Sequence, residues 1–156
     1  MASAIDVAKY FINLSQPGTN ENITNLKLQK LLYYAQGFFM ALNDTDEPLF
    51  DEEIQAWVHG PVVPEVYREF KGFSYKDINI NYHDEVLELT QVEIELLDEV
   101  WRNFGRYNGK DLERLSHTEP PWIQAREGLA PYDYGDNEIN PQEIRAYFAQ
   151  EYIVER

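Results

Sequence analysis

The sequence of 156 residues contains no cysteine, and this absence excludes several chemistries at once. Without a thiol, the chain can form no disulfide framework, no cysteine-ligated zinc site, no iron–sulfur cluster and no cysteine nucleophile. Histidine is also scarce, since only His59, His83 and His117 occur and they are scattered along the chain. We therefore expect neither a metal site nor another cofactor, and the composition favours a reducing compartment such as the cytoplasm.

Basic residues are few compared with acidic residues. The chain has 13 Lys and Arg against 28 Asp and Glu, which gives a formal net charge of -15. A field of this sign repels phosphate backbones, so direct binding of nucleic acid through a basic surface is disfavoured. We expect the partners to be proteins.

Long apolar runs are missing as well. No stretch approaches the roughly 20 apolar residues of a membrane-spanning helix. Near the start of the chain, Asp6, Lys9 and Asn13 interrupt the apolar positions, which is unlike a secretory signal. We expect a soluble cytoplasmic protein that does not contact a membrane.

Aromatic residues, in contrast, are abundant: 3 Trp, 11 Tyr and 8 Phe, within a hydrophobic fraction of 44%. A chain of this length and composition can bury a substantial core. We expect residues 1–156 to form a single globular domain.

The apolar spacing predicts about six helices, of which the second is the most unusual. Thr24 caps a segment from Asn25 to Leu42 whose apolar residues surround nearly the whole circumference, which is typical of a central, buried helix. Thr90 and Glu93 form a capping box before another amphipathic segment. The remaining helices are expected from Ser3 to about Leu14, from Pro64 to before Gly72, at about residues 110–116, and from Pro141 towards Tyr152.

Strand patterns are short and few. Residues 54–59 alternate between apolar and polar side chains, and Gly60 and Pro61 are expected to end this strand. Residues 86–89 could pair with it as a second strand. The expected fold class is therefore mainly α: a compact bundle of about six helices around a central buried helix, with a short two-stranded β element.

Polar residues on the central helix are candidate contacts because the rest of that helix is apolar. Lys27 and Lys30 share one face, and Gln29 and Gln36 share another. A partner could hydrogen-bond to them where the helix reaches a surface. Equally, they could satisfy loop carbonyls inside the protein, and the sequence leaves both interpretations open.

Two segments contain histidine beside tryptophan. His59 follows Trp57, but no partner for a catalytic imidazole is visible, so structural or interface roles are favoured over catalysis. His117 precedes Glu119 and Trp122. That run could form an acid–base or metal pair, but a helix end followed by a proline stop and an anchoring tryptophan also explains it.

Three runs then stand out together: KLQKLLYYAQGF at 27–38, AWVHGPVVPEVYREF at 56–70 and LSHTEPPW at 115–122. In this order and spacing they resemble the Panacea domain of the SocA-like antitoxin family, also known as phage-associated GepA-like proteins. The resemblance extends over nearly the whole chain.

The resemblance implies a mostly helical, non-enzymatic antitoxin that binds and neutralises a toxin encoded next to it. It also implies that a protease could be a further partner, because a resembling protein delivers its toxin to one. Some members carry a DNA-binding segment, and we expect none here because the chain begins directly with the first helix. The candidate partner-binding residues are Lys27, Gln29, Lys30, Gln36, Trp57, His59, Tyr67, His117 and Trp122.

Two other functions remain open at this point. The chain could be a small hydrolase or nucleotide-modifying enzyme that uses His59 or His117 with a carboxylate, in which case these side chains should converge in one pocket. It could also be a DNA mimic, in which case carboxylates should line a groove-like face.

The acidic residues generate a testable prediction. Residues 44–53 hold six acids and residues 84–99 hold seven, with no base in either segment. We expect this surface to steer a basic toxin, while aromatics such as Tyr67, Tyr75 or Tyr82 supply the buried contacts. Stopped-flow measurement should show an association rate that falls markedly as salt is raised, whereas a rate indifferent to ionic strength would rule out steering.

Overall fold

The computed structural model describes residues 1–153, which form seven α-helices and one β-hairpin. No helix within this range is long and apolar enough to cross a membrane. The helices are α1 (Ala4–Leu14), α2 (Asn25–Leu42), α3 (Pro64–Phe70), α4 (Gln91–Phe104), α5 (Gly109–His117), α6 (Pro120–Ala125) and α7 (Pro141–Glu151). The strands are β1 (Gln55–Trp57) and β2 (Gly60–Val62), and a 3₁₀ turn at Lys71–Phe73 follows α3.

Helix α2 is the centre of the fold, as its apolar circumference predicts. The Thr24 hydroxyl accepts a hydrogen bond of 3.2 Å from the Lys27 amide and so caps the helix. Most of its side chains are buried, and it packs against α1, α3, α4, α5, α7 and β2. This arrangement confirms the mainly α class with a central buried helix.

A glycine lets the last helix approach α2 closely. A Cβ atom at Gly37 would lie only 2.5 Å from the ring of Phe148 on α7, so any side chain at this position collides with that ring. The Phe148 ring also packs edge-on against Tyr33, with ring centroids 5.4 Å apart. The absence of a side chain at Gly37 therefore fixes where α7 sits.

A buried carboxylate joins three parts of the chain. Glu119, which precedes α6, accepts hydrogen bonds from the hydroxyls of Tyr33 at 3.0 Å and Tyr34 at 3.3 Å on α2, and from the hydroxyl of Tyr152 after α7. Burial raises the pKa of Glu119, although the tyrosine hydrogen bonds act in the opposite direction. Because both oxygens are occupied by hydroxyl donors, Glu119 ties both helices to the start of α6.

The prediction that residues 86–89 pair with the first strand was wrong. Strand β1 pairs antiparallel with β2, and Trp57 lies opposite Gly60. We expected Gly60 and Pro61 to end a strand, but Gly60, at φ +105°, follows a two-residue turn and begins the return strand. Residues 86–89 form no strand, and the other edge of β1 is met by residues 137–139, through an Ala56 N–H to Asn137 carbonyl bond of 2.9 Å.

Helix α6 is an element that the sequence analysis missed. Pro120 and Pro121 do end α5, but they also occupy the first turn of a new short helix, where a missing N–H costs nothing. This helix carries Trp122 and leads to Arg126, and both side chains contact the hairpin.

Candidate functional site

A groove of about 550 Å³ opens beside the hairpin, between α2, α3 and the segment around residue 134. We call it the aromatic groove. Its lining consists of Asn25, Leu26, Gln29, Lys30, Trp57, Val58, His59, Val62, Tyr67, Lys71, Ser74, Tyr75, Tyr134 and Gly135. Its volume lies within the range of about 300–1,000 Å³ that is typical of ligand-binding clefts.

Four aromatic side chains dominate this lining. The rings of Trp57 and Tyr67 meet edge to face, with centroids 5.1 Å apart. Tyr75 and Tyr134 stand at the rim and are 81% and 80% exposed. Tyr67 is only half-buried rather than exposed, and Tyr82, also half-buried, lies outside the groove beneath the Lys9 ammonium.

Amide side chains of α2 build the floor of the groove. The Gln29 side-chain amide donates to the side-chain oxygen of Asn25 (Oδ1) at 2.9 Å, and the Gln29 side-chain oxygen accepts from the Val63 N–H at 2.9 Å. Asn25 in turn donates to the Tyr67 carbonyl at 3.1 Å. The two amides therefore hold α3 and its junction with β2 against α2 and fix the backbone position of Tyr67.

Lys30 supports the hairpin from beneath. It is fully buried, and its ammonium group donates to the Pro61 carbonyl at 2.9 Å. The backbone at Gly60 passes so close that an added Cβ would lie 2.8 Å from Lys30 Cε. Burial lowers the pKa of Lys30 to about 7, because the charged form loses its hydration. The negative charge of Glu113 offsets only part of this loss.

Helices α5 and α6 brace the other side of the hairpin. The Trp122 indole N–H donates to the Trp57 carbonyl at 2.9 Å, and the Arg126 guanidinium donates to the Ala56 carbonyl at 3.0 Å. The His117 ring stacks on Trp122 at a centroid distance of 4.1 Å. His117 and Trp122 therefore do not line the groove. They lie on the other side of β1 and support the backbone at Trp57, which does line it.

The structure supplies the partner for His59 that the sequence did not reveal. His59 Nδ1 lies 3.2 Å from Glu113 Oε2 on α5, and the imidazole is largely exposed. Burial raises the pKa of Glu113, but the hydrogen bond and charge of His59 outweigh it and leave this pKa lowered. His117, one turn along α5, has its pKa lowered by burial.

Lys27 and Gln36 lie away from the groove, and both bind the backbone of other segments. The Lys27 ammonium donates to the Gly105 carbonyl at 2.5 Å. Gln36 donates to the Phe50 carbonyl at 3.0 Å and accepts from the Leu49 N–H at 2.7 Å. This geometry favours the scaffold interpretation for these two residues, so the docking surface proposed below excludes them.

Residues that sequence reasoning missed come from irregular segments. Tyr134 lies in a loop and Lys71 in the 3₁₀ turn, where no periodic pattern marks a side chain as facing the groove. Glu113 is paired with a histidine 54 positions away. Among residues 1–153, no three His, Asp or Glu side chains gather closely enough to hold a metal ion.

Comparison with known proteins adds an independent observation. The family model described as "Antitoxin SocA-like, Panacea domain" matches residues 28–123. The protein named Antitoxin SocA from Caulobacter vibrioides (strain NA1000 / CB15N) is 38% identical over 111 residues. The alignment spans 64% of this chain and 58% of that relative, less than two thirds of its length. No solved structure gave a significant match.

The buried ammonium of Lys30 predicts a pH-dependent stability. An ordinary lysine has a pKa of about 10.4, so between about pH 7 and pH 10 the unfolded chain binds a proton at Lys30 that the folded chain does not. The free energy of unfolding should therefore rise with pH in this window, by about 1 kcal/mol per unit for this residue.

Urea unfolding at several pH values between about 7 and 9 measures this slope. Lys30→Met should flatten it relative to the original protein, whereas Lys76→Met, at an exposed position, should leave it unchanged. Equal slopes in the Lys30→Met variant and the original protein would contradict the burial of a lysine with a lowered pKa.

Proposed function

The chain belongs to the SocA-like antitoxin family with a Panacea domain, and from this premise we propose that it binds and neutralises a toxin protein. Neutralisation would be steric: the bound chain covers or distorts the active site of the toxin, and no reaction takes place on the antitoxin. We place the toxin on the aromatic groove and expect its gene to lie next to that of this protein.

The observation that carries this proposal is the cluster of exposed aromatic side chains around the groove. Tyrosine and tryptophan dominate the binding energy of protein interfaces because they bury a large area with few rotatable bonds. Tyr75 and Tyr134 are each about four-fifths exposed, an unusual state for such large side chains. A protein partner that covers them would bury both rings against Trp57 and Tyr67.

A second feature that supports the proposal is the fixed position of the surrounding backbone. Gln29, Lys30 and Arg126 each bind a main-chain group of the hairpin or of the residue that follows it. A surface that is already ordered loses little conformational entropy on association, so more of the contact energy remains as affinity. This is the behaviour expected of an inhibitor that acts by binding alone.

Co-expression tests the proposal. The adjacent toxin-like reading frame is induced in the presence of this chain, and growth and copurification are measured. The double variant Tyr75→Ala/Tyr134→Ala should lose rescue and weaken binding by about a hundredfold, since truncation of each aromatic that the toxin buries costs on the order of 1–2 kcal/mol. Tyr132→Ala is the matched control, because Tyr132 is 89% exposed yet does not line the groove.

Full rescue by the double variant would place the toxin elsewhere on the surface, and failure of the original chain to rescue or copurify would contradict toxin binding altogether. Toxin abundance in the same cultures separates two routes of neutralisation. Constant abundance supports inhibition by occupancy, whereas falling abundance supports delivery of the toxin to a protease.

The His59–Glu113 pair favours a second candidate function, a proton-transfer enzyme acting at the mouth of the groove. Within residues 1–153, the pair with Glu113 is the one hydrogen bond of His59, so it activates no hydroxyl nucleophile there. Glu113→Gln separates the two functions because Glu113 stands outside the lining, and glutamine keeps an oxygen that accepts a hydrogen bond but lacks the carboxylate charge. A chain that acts by binding retains neutralisation with this substitution, whereas an enzyme that relies on the His59–Glu113 pair loses its activity.

A further inference from the structure

We propose that the aromatic groove accepts a segment of the toxin that carries a carboxylate beside an apolar or aromatic side chain, and that Lys71 pairs with this carboxylate. This inference rests on the proposed function and specifies the chemistry of the docked segment. Three features of the groove, as formed by residues 1–153, support it: a lining without carboxylates, an exposed lysine without a partner, and an apolar surface beside that lysine.

The lining of the groove contains no aspartate or glutamate. The chain has 28 acidic residues, and its two acid-rich segments, 44–53 and 84–99, contribute none of the lining residues. The basic side chains that line the groove are those of Lys30, His59 and Lys71. Within the described range, the lining of the groove is therefore free of carboxylates, although the net charge of the protein is strongly negative.

Lys71 is the cation that is available to a partner. It is exposed in the 3₁₀ turn after α3, and within residues 1–153 its ammonium group makes no ion pair and no hydrogen bond. Lys30 beneath the floor has no ion-pair partner in the described part of the chain either, and it adds positive potential when protonated.

Two carboxylates, those of Glu113 and Asp136, are hydrogen-bonded to side chains of the lining, so each already has a partner. Glu113 lies behind His59, with only 13% of its side chain exposed, and pairs with that imidazole. Asp136 accepts a hydrogen bond of 3.2 Å from the Tyr134 hydroxyl. Both residues stand outside the lining, so neither carboxylate fills the position next to Lys71.

The apolar part of the groove determines the second feature of the occupant. Leu26 and Val62 lie beside the edge-to-face rings of Trp57 and Tyr67, and these four side chains form a surface on which an aliphatic or aromatic side chain can pack. A segment with neighbouring apolar and acidic residues therefore satisfies both the apolar surface and the Lys71 ammonium.

The charges of the chain also determine how the toxin is oriented. The long-range field of the chain attracts a basic surface, whereas the groove attracts an acidic residue. A toxin with both features is turned so that its acidic segment faces the groove, because the reverse orientation places like charges together. The Lys71 ammonium on a carboxylate-free lining therefore supplies specificity as well as contact.

Short peptides test the chemistry of the groove without the toxin. The probes are the blocked peptides acetyl-Gly-Phe-Glu-Gly-amide and acetyl-Gly-Phe-Lys-Gly-amide, titrated into the full-length ¹⁵N-labelled protein. The glutamyl peptide should shift the Trp57 indole and Lys71 amide signals and bind about tenfold more tightly than the lysyl peptide. Lys71→Glu should reverse this order, whereas Lys76→Glu, an exposed lysine outside the lining, should preserve it.

The same variants connect the groove to the toxin. Lys71→Glu should weaken toxin binding by about tenfold, Lys76→Glu should leave the affinity nearly unchanged, and one acid-to-lysine change in the toxin should restore binding to Lys71→Glu. If the two peptides bind equally, or the lysyl peptide binds more tightly, the inference is overturned. If the glutamyl preference holds but the original chain does not bind the toxin, the proposed function fails and the chemistry of the groove stands.

Discussion

The hydrogen bonds from the buried helix α2 to the backbone of distant segments are the constraint on which the rest of the structure depends. Gln29 binds the residue after β2, Lys30 binds β2 itself, and Gln36 binds the loop at residues 49–50. A buried amide or ammonium that loses its hydrogen-bond partner costs on the order of a few kcal/mol. These segments therefore have little freedom to move away from α2. The polar residues of an otherwise apolar helix thus specify where the irregular parts of the chain lie.

This constraint links the fold to the proposed activity. Apart from the floor that α2 provides, the groove is built from a hairpin, a short helix and two loops, none of which has enough regular structure to be rigid alone. They are held from one side by α2 and from the other by Trp122 and Arg126. The aromatic rings can therefore be held in fixed positions although they lie on short or irregular segments, because the long helix α2 lies beneath them, which suits the proposed role in binding.

The sequence predicted the elements whose signals are local. Helices α1, α2 and α4 are capped by Ser3, Thr24 and Thr90, and a capping residue followed by an apolar stripe can be recognised without knowledge of the rest of the fold. The hairpin was misassigned because Gly60 and Pro61 commonly end a strand, whereas here they begin the return strand after the two-residue turn at 58–59. Glu113 was missed as the partner of His59 for a different reason: proximity between segments far apart in sequence leaves no local pattern.

Hydrogen exchange in the free and toxin-bound protein tests the central claim most directly, namely that α2 presents a preformed groove and that the toxin docks there. We expect slow exchange already in the free protein at the Val63 amide, which Gln29 holds, and further protection on binding at residues 57–60 and 71–75. Protection confined to the acid-rich segments 44–53 and 84–99, with exchange around the groove unchanged, would contradict the account.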